Sequence, residues 1–384
     1  MDEGAPPRRI RWGMVGGGRG AFIGEVHRRA ARLDDGYELL AGALSSDPER
    51  ARLSAQDCRI APERAHADYA AMARAEAARP DGIEAVSIVT PNHRHHAVAK
   101  AFLEQGIHVI CDKPLATSLA DARDLVALAR ARNLLLGVTY NYSGYPMVRH
   151  ARDLVRGGAI GRVRMVQAEF VLGWLSTALE AEGAKQAEWR TDPAQAGPSG
   201  VVGDVGTHAF HLAQFVTGLE LEAVSADIAT FVPGRRLEDN ATMMLRWRGG
   251  ARGAIWASMV AAGETVGLRL RVYGETGHIA WDQSYPDDLQ VRPLNGEAHV
   301  LARGGKLSPA AKAATRLVAG LPEGFFEAFA NLYRDYASII TALREGTPPP
   351  EPIAPTGEDG VAGLAFVEAV LNSARRDGAW VRPT

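Results

Sequence analysis

The chain has 384 residues, 46% hydrophobic and 23% charged, a balance that supports a sizeable core and leaves room for two domains. A formal net charge of −2 argues against nucleic acid or an anionic membrane as a partner. Two cysteines, Cys58 and Cys111, argue against a disulfide framework and fit a reducing compartment.

Residues 1–9 carry no apolar signal core, and no apolar run is long enough to span a bilayer, so a cytoplasmic protein is expected. Residues 10–15 predict a strand, 21–33 a helix and 37–44 a second strand. Asp47-Pro48 opens the next helix, with the carboxylate as cap and proline in the first turn. Apolar runs at 85–89, 107–110 and 134–138 predict three more strands. Continuous apolar strands alternating with helices indicate a parallel sheet covered on both faces. After Ser118, residues Leu119, Ala122, Leu125, Val126 and Ala129 form one helical stripe, and Ser118 with Asp121 resembles a capping box.

Beyond about residue 162 the period changes from helical to alternating. Residues 166–170 read as a half-buried strand. Ala241, Met243, Leu245 and Trp247 share one face of another, Gly249-Gly250 turns the chain, and 251–259 returns. Leu268, Leu270 and Val272 alternate again. A late helix carries Phe329, Leu332, Tyr333, Tyr336 and Ile340 on one side and is expected to end at Pro348-Pro349-Pro350. A last helix follows at about 360–376. The expected fold is therefore α/β: an N-terminal Rossmann parallel sheet and a C-terminal α+β domain with a large, mainly antiparallel, open-faced sheet. The expected division is 1–142 for dinucleotide binding, 143–350 for substrate and oligomerisation, and 351–384 for a final helix packing back on the first domain.

The segment from Gly16 to Ala21 fits Gly-x-Gly-x-x-Gly/Ala between a strand and a helix. Gly16 permits the tight turn, Gly18 lets a pyrophosphate approach the backbone, and Ala21 is small enough for helix–strand packing. Arg19 and Gly20 complete the turn, and the helix N-terminus offers free N–H groups to phosphate. At the end of the second strand Ser45 stands where a ribose-binding acid is usual. It tolerates a 2′-phosphate or bonds a hydroxyl, and Arg19 or Arg50 is placed to pair with a phosphate, so NAD and NADP both remain open. Thr90-Pro91-Asn92 with His95, and Asp112-Lys113-Pro114, fall at the next strand ends, where ligands bind in open α/β sheets.

These motifs, followed by Asp204-Val-Gly-Thr-His208, resemble the glucose–fructose oxidoreductase and inositol 2-dehydrogenase (Gfo/Idh/MocA) family in identity and order. Trp189-Arg190 and the segment from Val272 to Gly277 extend the resemblance over nearly the whole chain. The family pattern is Glu-Lys-Pro, and Asp112 shortens that carboxylate arm. The run from Tyr140 to Tyr145 resembles members that act on sugars, anhydrosugars or glycosides. The resemblance implies an NAD(P)-dependent oxidoreductase with Lys113, Asp204 and His208 beside the nicotinamide, a small-molecule sugar or polyol substrate, and a homodimer or homotetramer formed through the open sheet.

Asp204 and His208 are four residues apart, so a helix through them places both on one face. A near-neutral imidazole suits proton transfer from a hydroxyl, a carboxylate orients it, and a lysine polarises the same oxygen. His208 is thus expected to accept the proton, Lys113 to hold the oxygen, and Asp204 to set the orientation of His208 or hold a neighbouring hydroxyl. Tyr142, Trp189 and Arg190 are candidate substrate contacts. A metal centre built from His93, His95, His96, Asp204, His208 and His211 is disfavoured, because adjacent histidines on a helix do not converge on one ion, and no metal is expected. A non-catalytic dinucleotide sensor would leave the lysine, aspartate and histidine without purpose. A recycling enzyme that keeps its cofactor bound between two sugars remains a third reading.

Overall fold

The computed structural model describes residues 8–384; the leading stretch 1–7, most of the segment read for an export signal, lies outside the described residues. Five parallel strands form the first sheet: β1 (Ile10–Gly16), β2 (Tyr37–Ala43), β3 (Ala85–Val89), β4 (His108–Cys111) and β5 (Leu136–Val138), in the order β2-β1-β3-β4-β5. Helices α1 (Phe22–Leu33), α2 (Pro48–Asp57), α3 (Tyr69–Ala77), α4 (His95–Glu104) and α5 (Leu119–Ala131) connect them. This is a doubly wound Rossmann arrangement whose order reverses beside β1, which opens a crevice at the strand ends. The local signals act as expected. Asp47 accepts from the Arg50 N–H at 2.7 Å to cap α2, and Ser118 accepts from the Asp121 N–H at 3.1 Å to cap α5.

The second sheet has eight strands: β6 (Val163–Val171), β7 (Leu221–Ala229), β8 (Asn240–Trp247), β9 (Arg252–Ser258), β10 (Gly267–Gly274), β11 (Gly277–Asp282), β12 (Asp288–Pro293) and β13 (His299–Ala302). Their order is β13-β12-β11-β10-β6-β9-β8-β7, antiparallel throughout except for the pair β6 and β9. Alternation sorts the faces. Val166, Ala168 and Phe170 of β6 and Ala241, Met243, Leu245 and Trp247 of β8 are buried, and helices α6 (Pro146–Arg156) and α9 (Thr207–Thr217) pack on that side. Met165, Met244 and Trp256 stay exposed on the opposite face. Two short helices, α7 (Lys185–Thr191) and α8 (Pro193–Ala196), follow β6, and α10 (Pro309–Ala314) packs on α6.

Helix α11 (Phe325–Glu345) lies in the segment expected to belong to the second domain, yet it packs on α1 and β1. Its Phe329, Leu332, Tyr333, Tyr336 and Ile340 share a core with Ile10, Trp12 and Met14. Burying each such side chain contributes about 1.5–3 kcal/mol. The helix ends at Gly346, whose φ of +68° supplies a left-handed cap, before the prolines are reached. Helix α12 (Gly357–Ala374) begins three residues earlier than its apolar pattern suggests, because the Thr356 N–H bonds the Asp359 carboxylate at 2.8 Å in a capping box. It touches α5 and β5 on one side and β7 and α9 on the other. We propose that 325–345 belongs with the first domain and that α12 bridges the two. Among the described residues no helix is long and apolar enough to cross a membrane.

Candidate active site

The C-terminal ends of β1 to β5 open into one cleft of about 670 Å³ that continues to α7 and the start of α9. Gly16, Gly17, Gly18, Arg19 and Ala21 line it, as do Ser45, Ser46, Arg50, Thr90, Pro91, Asn92, Asp112, Lys113, Tyr142, Trp189, Arg190, Asp204 and His208.

The glycine-rich turn is fixed by the protein before any ligand arrives. The Gly18 N–H bonds Leu44 O at 3.1 Å, and the Arg19 N–H bonds Ser54 Oγ at 3.0 Å. A Cβ on Gly18 would stand 2.6 Å from Leu44 O, so the chain just past β2 by itself requires glycine there. Close helix–strand packing, expected at Ala21, occurs instead where Gly24 meets Gly17. Ala21 sits at the N-cap of α1 without a side-chain hydrogen bond, which leaves the helix N-terminus free toward the cleft. Gly20 takes a positive φ of +79°, has nothing within 4 Å of a would-be Cβ, and does not line the cleft. Arg19 reaches the cleft rim but is paired with Asp57 at 2.5 Å. Ser45 Oγ accepts from the Asp47 N–H at 3.1 Å.

His95 departs from expectation. It is buried outside the cleft lining, with Nδ1 2.6 Å from Pro114 O and Nε2 2.9 Å from Thr90 O. It ties two strand-end loops together instead of touching a ligand. Asn92 lines the cleft while its amide donates to Ala196 O at 3.0 Å, linking the first domain to the segment that closes over it.

Lys113 and Asp204 meet across the cleft. The Lys113 ammonium lies 2.5 Å from Asp204 Oδ1 and also donates to Asp204 O at 2.6 Å. Arg190 Nε holds the other carboxylate oxygen at 3.0 Å, with its guanidinium stacked 4.2 Å over Trp189. Burial works to raise the Asp204 carboxyl, but Lys113 and Arg190 outweigh it and hold it below the ordinary carboxylate range. Of the two roles expected for Asp204, orienting His208 or holding a neighbouring hydroxyl, the first has no hydrogen bond to carry it. Residues Val202–Gly206 form a π-helical turn ahead of α9, and the Asp204 carboxylate is taken up by the two cations. Glu238, which sequence reading did not single out, secures that turn: its carboxylate accepts from Ser199 Oγ at 2.5 Å, the Gly200 N–H at 2.8 Å and the Val202 N–H at 3.3 Å. No local pattern marks it, because its partners lie nearly forty residues away.

His208 is 8% exposed, and Tyr142 meets it edge-on with ring centroids 5.0 Å apart. Burial first, then the Lys113 charge, lowers its pKa well below 6.5, while Asp204 and Asp112 act in the opposite direction without overcoming them. The imidazole is therefore neutral at physiological pH and free to accept a proton. Tyr145, by contrast, stacks behind Tyr142 against Trp281 and does not line the cleft. His208 Nδ1, Thr90 Oγ1 and Asn141 Nδ2 are buried without a protein partner, and all three residues line the cleft. Unpartnered buried polar atoms are rare in folded proteins, and these three cluster at the cleft wall. The glycine turn, the free helix N-terminus and these donors fit a dinucleotide with a hydroxylated substrate beyond it.

Residues 10–140 match the model of the oxidoreductase family with an NAD-binding Rossmann fold, and 148–280 match the GFO/IDH/MocA C-terminal domain. The uncharacterized oxidoreductase YfiI of Bacillus subtilis is 36% identical over 97% of this chain and 96% of its own. Levoglucosan dehydrogenase of Pseudarthrobacter phenanthrenivorans is 28% identical over 76% and 78%. An inositol dehydrogenase homologue from Azotobacter vinelandii, solved with NADH and myo-inositol, superposes with a TM-score of 0.90 at 39% identity, covering 98% of each chain. Its first domain is of the family's NAD-binding Rossmann type, with NAD and NADP both open, and the chain belongs to the GFO/IDH/MocA family of oxidoreductases.

Proposed function

We propose that this oxidoreductase moves hydride between a secondary hydroxyl of a cyclic polyol or sugar and a nicotinamide dinucleotide. The observation that carries the reading is the convergence of Lys113, Asp204 and Arg190 beside a neutral, buried His208 at the inner end of the cleft. When bound, the dinucleotide supplies a ring carbon that takes the hydride from the substrate carbinol. His208 accepts the hydroxyl proton, and Lys113 holds the same oxygen and stabilises its developing charge. Asp204 keeps the Lys113 ammonium and the Arg190 guanidinium in place, so it acts on the two cations rather than by orienting His208. Tyr142, Trp189 and Arg190 form the wall against which a sugar ring would lie. The relatives named for levoglucosan and inositol support a cyclic, hydroxyl-rich substrate. We propose further that Met165, Met244 and Trp256 on the open face meet a second copy in a homodimer or homotetramer, which light scattering of the purified chain will test.

The direct test is absorbance at the reduced-nicotinamide band, with NAD or NADP and a panel of inositols, aldoses, anhydrosugars and glycosides. Growth of the band with one substrate class supports the reading. Silence across the panel, from protein that binds added dinucleotide and releases none on denaturation, overturns the substrate class.

A further inference from the structure

A second group of buried polar side chains lies behind the cleft, among β1, β3, α1 and α11. Trp12, Ser87, His27 and Tyr333 are all 1% exposed or less. Trp12 Nε1 donates to Ser87 Oγ at 2.9 Å, Ser87 Oγ lies 2.6 Å from the Tyr333 hydroxyl, and that hydroxyl lies 2.7 Å from His27 Nδ1. His27 Nε2 then faces Asp112 Oδ1 at 3.9 Å, and Asp112 also accepts from Thr139 Oγ1 at 2.7 Å. Asp112 lines the cleft next to Lys113.

The direction of this chain follows from its first member. An indole N–H donates and never accepts. Ser87 Oγ therefore accepts from Trp12, and its own hydrogen has the Tyr333 oxygen to go to. Were Ser87 to accept from Tyr333 as well, its own buried hydrogen would have no side-chain acceptor, so the Tyr333 hydrogen goes to His27 Nδ1, which leaves the imidazole proton on Nε2. That N–H is buried with no partner, and 3.9 Å is beyond hydrogen-bond range to Asp112. A shift of about 1 Å by the carboxylate closes the gap to ordinary hydrogen-bond length.

We infer that His27 is a positioning residue: the Trp12–Ser87–Tyr333 chain aims its Nε2–H at Asp112 and so holds that carboxylate as the acceptor for a donor on the nicotinamide riboside end of the dinucleotide. Asp112 replaces the longer glutamate of the family pattern, so its shorter arm leaves more of the aiming to its neighbours. Helix α11, which lines the cleft with Phe325 and Phe329, thereby also acts on the ligand from behind through Tyr333. The inference rests on the dinucleotide occupying the cleft as proposed above, but it does not depend on the identity of the polyol.

Three measurements test it. Neutron diffraction on crystals of the full chain should place the His27 proton on Nε2; a proton on Nδ1 alone overturns the chain's direction. Fluorescence titration should show Tyr333→Phe and Asp112→Asn each weakening NADH about tenfold, the worth of one hydrogen bond to a charged group. ADP, which lacks the nicotinamide riboside, should bind both variants as it binds the parent chain. Equal weakening of ADP would mean general damage to the fold and would overturn the positioning role. The double variant should bind NADH no more weakly than Asp112→Asn alone, because His27 acts through Asp112; additive losses would also refute it. None of these readouts uses a polyol, so a silent substrate panel would count against the proposed substrate and not against this assignment.

Discussion

The two ends of the cleft are built differently. The dinucleotide end is mainly backbone: a glycine turn pinned to Leu44 O and Ser54 Oγ, and an uncapped helix N-terminus. The substrate end is side chain: Lys113 from the first sheet, Arg190 from a short helix and Asp204 from a π-helical turn, joined by ion pairs. A backbone cradle is tolerant of its neighbours' identities but intolerant of an added Cβ. A side-chain cluster is the reverse, because each charge is balanced by particular partners.

Variants can break this contrast or sharpen it. The largest effects are expected at the substrate end. His208→Ala and Lys113→Met should each lower kcat by about 10²–10⁴-fold with NADH affinity little changed, measured by steady-state kinetics and fluorescence titration. Loss of NADH binding in both would merge the two ends into one unit. Next, Gly18→Ala should weaken NADH about a hundredfold and lower Tm as well, because the new Cβ meets Leu44 O at 2.6 Å. An unperturbed variant would mean that the turn relaxes freely. Arg190→Gln should raise KM for the polyol about tenfold, since it removes one charge-assisted contact without removing the base.

A smaller but sharper test is the pH profile of kcat/KM for polyol oxidation. A base works when unprotonated, so activity falls as pH drops through its pKa. Burial and Lys113 put the His208 pKa below 6.5, so the acid limb should have its midpoint below 6.5. A midpoint above that value would assign the limb to another group. Smallest of all, Ser45→Asp should shift the kcat/KM ratio toward NAD over NADP by a few-fold, because a carboxylate at the end of β2 bonds a 2′-hydroxyl and repels a 2′-phosphate.

The same contrast explains what was legible in the residues. The turn from Gly16 to Ala21 could be placed on a strand–helix junction because its chemistry is local. The strand and helix patterns likewise located both sheets. Lys113, Asp204 and His208 were identifiable as chemical types at a strand end and a helix start. Their pairing was not. A four-residue spacing reads as one helical face, whereas the π-helical turn held by Glu238 gives Asp204 to Lys113 and Arg190. His95 looked like a strand-end ligand contact because sequence does not say which way a buried ring points. The stripe on α11 announced an apolar face without saying which sheet it would cover.

That helix has a consequence for how the protein is made. Trp12 and Tyr37 emerge early in synthesis, but their T-shaped ring partner, Tyr333, lies about 300 residues later. At 5–20 residues per second, roughly 15–65 s separate the first strand from the helix that covers it. The N-terminal sheet therefore waits on the ribosome with an aromatic face uncovered, and its completion is set by the arrival of about the last sixth of the chain. A ribosome stalled before residue 325 would hold a sheet that chaperones can grip, and release past 345 should make the same sheet protease-resistant.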